Sequence, residues 1–186
     1  NLALAYQSAG RLDEAIGLFE RTLADRLRVL SPDHADTLSS RNNLASAYKS
    51  AGRPEQAIGL HKKNLADRKR VLGADHPDTL TSRNNLASAY RSAGRPEQAI
   101  GLHKKNLVDR ERVLGPDHPH TLSSRNNLAG AYRSAGRLDE AIDLFERTLA
   151  DRLRVLSPDH ADTLSSRNNL ALAYQSAGRL DEAIGL

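Results

Sequence analysis

Seven histidines, 23 acidic side chains and recurrent serines are the residues of this chain that could act in a reaction or hold a metal. His118, with Asp117 before it and His120 two residues on, has the ligand types of a zinc site. The same D-H-P/A-D pattern returns at His34, His76 and His160, but His120 stands where the other copies have Asp, so no second imidazole repeats. Aspartate and proline there suit turns and helix caps. No metal and no cofactor are expected. Catalysis needs one nucleophile, one base and one orienting group in an asymmetric set. Serines here come mainly in repeated strings, Leu38-Ser39-Ser40-Arg41 and Thr81-Ser82-Arg83 among them, which read as groove or helix surface. The absence of Cys removes disulfides, thiolate metal sites and cysteine nucleophiles together. No glycine-rich phosphate loop is present. The chain is expected not to be an enzyme.

Hydrogen bonding is the chemistry that does recur. Asn42, Asn84, Asn126 and Asn168 lie 42 residues apart, accompanied by Ser39, Thr81 and Ser123, by Ser46 and Ser88, and by Lys49, Arg91 and Arg133. A carboxamide both donates and accepts, and the cations donate only.

The elements that must position these side chains repeat with the same period. The string N-L-A-x-A-Y-x-S-A-G starts at Asn1, Asn43, Asn85, Asn127 and Asn169. The repeats are therefore 1–42, 43–84, 85–126 and 127–168, with a partial fifth at 169–186. Residues 10–45 equal residues 136–171 except that Gly17 becomes Asp143, and residues 1–18 equal 169–186 without a difference. Each repeat reads as two helices. Across the boundary of the third and fourth repeats, one is expected over 119–135, starting at Pro119 and stopped by Gly136. A second is expected over 138–156, with Asp139 and Glu140 at its positive end. No alternating β-branched run occurs, so the chain is all-α. At about 100° per residue, Ser88, Arg91 and Thr81 lie within roughly 60° of Asn84 on the first helix. Leu86, Ala89, Tyr90 and Ala93 lie opposite and must pack inward. Small Ala87 and Ala99 let paired helices approach closely.

The residues Asn85, Leu86, Ala87, Ala89, Tyr90, Gly94, Ala99, Ile100 and Leu107 give the chain a resemblance to the tetratricopeptide repeat, whose ordinary period is about 34 residues. The longer 42-residue form, with its R-N-N-L-A core, is similar to the repeats of kinesin light chains. Three features depart from the ordinary pattern. Arg83 and its equivalents replace a large apolar residue, the usual closing proline is missing, and His61 and His103 stand where Phe19 and Phe145 keep an aromatic. These two histidines are expected at the edge of the core. The resemblance implies a right-handed superhelical solenoid of antiparallel helix pairs forming one repeat array. It also implies a concave groove lined by the first helices. Ser39, Asn42, Ser46, Lys49, Thr81, Asn84, Ser88, Arg91, Ser123, Asn126, Arg133 and Asn168 match its groove positions. By the same resemblance the asparagines would bond the main chain of an extended peptide, and the basic residues would attract acidic groups. The competing reading is that any exposed helix face is polar, with Asn43 or Asn85 merely satisfying nearby backbone.

Charge supports an acidic partner. Residues 43–126 carry 15 Lys+Arg against 8 Asp+Glu, whereas the rest of the chain is slightly acidic. Lys62, Lys63, Lys104 and Lys105 belong to second helices, so part of this surplus decorates the other face. Nucleic acid is the rival ligand, but with the tyrosines turned inward few aromatics remain for base stacking. It is not the expected partner. No apolar run reaches the roughly 18 residues of a membrane span, and a cytoplasmic setting is expected. A start within helical sequence suggests a fragment. Half-repeats at both ends would expose apolar edges, which suggests head-to-tail self-association.

Overall fold

The structure, a computed structural model, describes residues 2–186; Asn1, the first residue of the first motif copy, lies outside the described residues. Ten helices and no strands are present among the described residues. The chain divides into two compact units, one ending at Gly94 and the other starting at Arg95. The first holds α1 (Leu2–Ser8), α2 (Leu12–Val29), α3 (Ala35–Ser50), α4 (Pro54–Leu72) and α5 (Pro77–Ser92). The second holds α6 (Pro96–Leu114), α7 (Pro119–Ser134), α8 (Leu138–Val155), α9 (Ala161–Ser176) and α10 (Leu180–Ile184). Inside each unit, helices adjacent in sequence pack together; α3 also touches α5, and α7 touches α9. The all-α pattern of helix pairs is as the sequence implied. Helices α7 and α8 each end one residue earlier than expected.

Local chemistry explains where the helices start and stop. After α7 the chain turns through Gly136 at φ 75°. Its N–H reaches the Arg133 carbonyl at 3.0 Å, and the Arg137 N–H reaches the Tyr132 carbonyl at 3.0 Å. This pair of reversed bonds satisfies carbonyls left over at a helix end, and the left-handed backbone it needs suits glycine. At the starts of α3, α5, α7 and α9 the structure corrects the expectation that aspartate and proline do the capping. The N-cap is histidine, and Nδ1 of His34, His76, His118 and His160 accepts the backbone N–H two residues on, at 3.1–3.2 Å. The ring thus replaces the short oxygen side chains that usually serve there.

Burial follows the predicted stripes. Leu86, Ala87, Ala89 and Tyr90 are buried, and Ala87 and Ala99 are fully covered. The core is nevertheless more polar than its sequence suggests. His61 and His103 are not at the edge: they are 1% and 2% exposed. Burial first, and the Lys49 charge second, push the His61 pKa down to about 4. The serines Ser40, Ser82, Ser124 and Ser166, expected on the surface, are buried as well. Each accepts from a guanidinium of the preceding second helix: Arg26, Arg68, Arg110 and Arg152 donate to them at 2.7–3.2 Å. The same Nη1 atoms reach the carbonyls of residues 36, 78, 120 and 162. One side chain thereby fastens each second helix to the first turn of the next helix pair.

Candidate functional site

Twelve positions were expected in a groove, and the structure places them on the odd-numbered helices. Ser39, Asn42, Ser46 and Lys49 lie on α3, and Thr81, Asn84, Ser88 and Arg91 on α5. In the second unit Ser123, Asn126 and Arg133 lie on α7, and Asn168 on α9. Thr81, Arg91 and Asn168 are exposed and the other nine are half-buried. None is swallowed by the core, as the helix angles required.

In the first unit, contact between α3 and α5 brings part of this set together. Lys49 Nζ donates to Ser88 Oγ across the two helices at 3.3 Å. Seven residues earlier on α3 and three earlier on α5, Asn85 Nδ2 donates to Asn42 Oδ1 at 2.8 Å. Burial, and then the nearby charge of Arg91, hold the Lys49 ammonium below its ordinary range. Neither Lys49 nor Arg91 is in an ion pair with a carboxylate among the described residues. Two cations that repel one another, with no acid between them, form a positive spot lacking a counter-charge.

The second unit repeats part of this pattern. Asn169 Nδ2 on α9 donates to Asn126 Oδ1 on α7 at 3.2 Å. Ser123 behaves differently from its neighbours, since its Oγ accepts from buried Arg152 at 3.3 Å and so turns towards α8. Asn168 lines a cleft of about 330 Å³ with Leu172, Gln175, Leu180 and Ile184. Arg133 is half-buried and, like Arg91, has no carboxylate partner among the described residues.

Other polar clusters serve packing. Arg41, only 2% exposed, donates to Asp67 on α4 at 2.6 Å. Arg125 is clamped between Glu111 and Asp151 at one wall of an open cleft of about 500 Å³. These arginines stand where the ordinary repeat is apolar, and that departure was the only sequence signal pointing to them. Asn85 and Asn169 were missed as partners of Asn42 and Asn126; the doubled Asn-Asn in every repeat was the available signal. No group of three or more His, Cys, Asp or Glu side chains able to hold a metal occurs among the described residues. No described helix is long and apolar enough to cross a membrane.

Comparison with known proteins supports the same fold. The tetratricopeptide repeat family matches residues 1–66, 41–107, 98–154 and 126–186. No curated protein sequence matches the chain. Among solved structures, the nearly identical TPR-like repeats of a Podosopora anserina protein assigned to the kinesin light chains are 33% identical. The match covers 99% of this chain and 87% of that one, with a TM-score of 0.82. BtubC (BKLC) from P. vanneervenii is 27% identical over 99% of this chain and 73% of its own, with a TM-score of 0.78. A Rap protein complexed with Competence and Sporulation Factor shares the fold at 12% identity. That match covers 98% of this chain and 49% of the Rap chain, with a TM-score of 0.78.

Proposed function

Since the chain belongs to the tetratricopeptide repeat family, we propose that it is a non-enzymatic scaffold that binds extended segments of partner proteins along its odd-numbered helices. The observation that carries this reading is the uncompensated pair Lys49 and Arg91 beside the Asn42 and Ser88 rungs. Folding gains nothing from two like charges held together. A ligand that supplies carboxylates relieves the repulsion and gains charge-assisted hydrogen bonds. The solved Rap complex has a bound factor on the same fold, which is compatible with this role. The partner is therefore an extended, acidic peptide segment.

The test is titration of a capped decapeptide of alternating Glu and Ala against the wild-type chain and a Lys49→Ala/Arg91→Ala double variant. The double variant should bind at least about tenfold more weakly, and the wild-type affinity should fall as ionic strength rises. Equal affinities with a flat salt response would remove this site from the mechanism.

A further inference from the structure

Asn42 and Asn126 are not free to turn. Asn42 Oδ1 is occupied by Asn85 Nδ2 at 2.8 Å, and Asn126 Oδ1 by Asn169 Nδ2 at 3.2 Å. The two units make this bond independently, with the same donor and acceptor. A carboxamide is planar, with its oxygen and its NH2 on opposite sides of the Cβ–Cγ axis, so fixing the oxygen fixes where the nitrogen points. Nδ2 of Asn42 and of Asn126 makes no hydrogen bond among the described residues and is not sealed in the core. The neighbouring rung has the same polarity, for Ser88 Oγ already accepts from Lys49 and its hydroxyl hydrogen remains to donate.

We infer that Asn85 and Asn169 are positioning residues that lock Asn42 and Asn126 with Nδ2 outward, so the groove offers hydrogen-bond donors and reads the carbonyl and carboxylate oxygens of its ligand. This rests on the peptide-groove reading and narrows it. A freely turning asparagine can present either end to a peptide, whereas a locked one presents its Nδ2 to the C=O and has one lone pair of its oxygen already taken by the neighbouring amide. Affinity then depends on a residue that need not touch the ligand. Within each unit the lock joins one first helix to the next: Asn85 on α5 holds Asn42 on α3, and Asn169 on α9 holds Asn126 on α7. A repeat lacking that neighbour would present an amide of either polarity.

Isosteric exchange at position 85 tests this. Asn85→Asp places an acceptor opposite Asn42, whose carboxamide must turn Nδ2 inward and show Oδ1 to the groove. Asn85→Ala removes the lock without imposing the opposite one. Asn43→Asp adds the same charge at the equivalent position of the preceding repeat and controls for simple repulsion. Against the capped Glu-Ala decapeptide, Asn85→Asp should bind about tenfold more weakly, Asn85→Ala about threefold, and Asn43→Asp within about twofold of wild type. Helicity should be unchanged in all three. In the ligand-free state, side-chain amide exchange should be slow at Asn85 in the wild type and slow at Asn42 in Asn85→Asp, a reversal that reports the direction of the bond, while the peptide affinities report whether that direction serves a ligand. If Asn85→Asp binds as tightly as wild type, or Asn43→Asp loses as much, the inference fails while the groove reading stands. If the wild type takes no peptide, the groove reading fails, and with it the claim that the lock serves a ligand. The exchange pattern then still decides whether the lock exists.

Discussion

His61→Phe should make the protein more tolerant of acid by an amount the structure specifies. His61 is 1% exposed on α4, and its Nδ1 has no hydrogen-bond partner. Burial, with help from the Lys49 charge, lowers its pKa from 6.5 to about 4. The sign follows from which state takes the proton. Below the unfolded value the unfolded chain binds a proton that the folded one refuses, so stability falls as pH drops from 6.5 towards 4. Between about pH 7 and about pH 5 this one group should cost about 2 kcal/mol. Phenylalanine is the residue that Phe19 and Phe145 place at the same point of α2 and α8, both within the core. The substitution should therefore pack, and should remove that part of the pH dependence. Urea unfolding of wild type and His61→Phe at both pH values gives the difference directly. His103 and the capping histidines are common to both proteins and cancel. Parallel pH profiles would show that His61 does not titrate across folding, and would refute the argument.

Three further outcomes follow from the packing. Asn64 is fully covered with neither amide atom hydrogen-bonded, so Asn64→Thr, matching Thr22 and Thr148, should stabilise by about 1–2 kcal/mol in chemical denaturation. Asp67→Asn removes the carboxylate that neutralises nearly inaccessible Arg41. It should cost about 3 kcal/mol, seen as a lower denaturation midpoint. His118→Ala deletes the N-cap acceptor of α7 and should cost about 1 kcal/mol, while His118→Asn should recover most of that. Thermal melts of the three position-118 proteins would show it.

The sequence revealed the fold well because its signals are local and repeated. The 42-residue period, Gly136 as a stop, Pro119 as a start and the Leu86–Tyr90 stripe each depend on neighbours along one helix. What it concealed depends on neighbours across helices. Serine and arginine usually lie at the surface, yet Arg68 donates to Ser82 in the interior, and neither residue type announces that pairing. Histidine as an N-cap is equally hard to foresee, because its ring must reach the amide two residues on. The polar stripe of the first helices was legible from helix angles alone. The orientation of their amides was not, since Asn42 and Asn85 are 43 residues apart in sequence and meet only when α3 packs on α5.

The central claim is that partners bind on the odd-numbered helices, and amide shift mapping tests it most directly. Adding the capped Glu-Ala decapeptide to isotopically labelled protein should move the backbone and side-chain signals of Asn42, Ser46, Lys49, Ser88 and Arg91, with Asn126 and Arg133 following. Shifts confined to exposed Lys62, Lys63, Lys104 and Lys105 on α4 and α6 would place binding on the second helices and contradict the account.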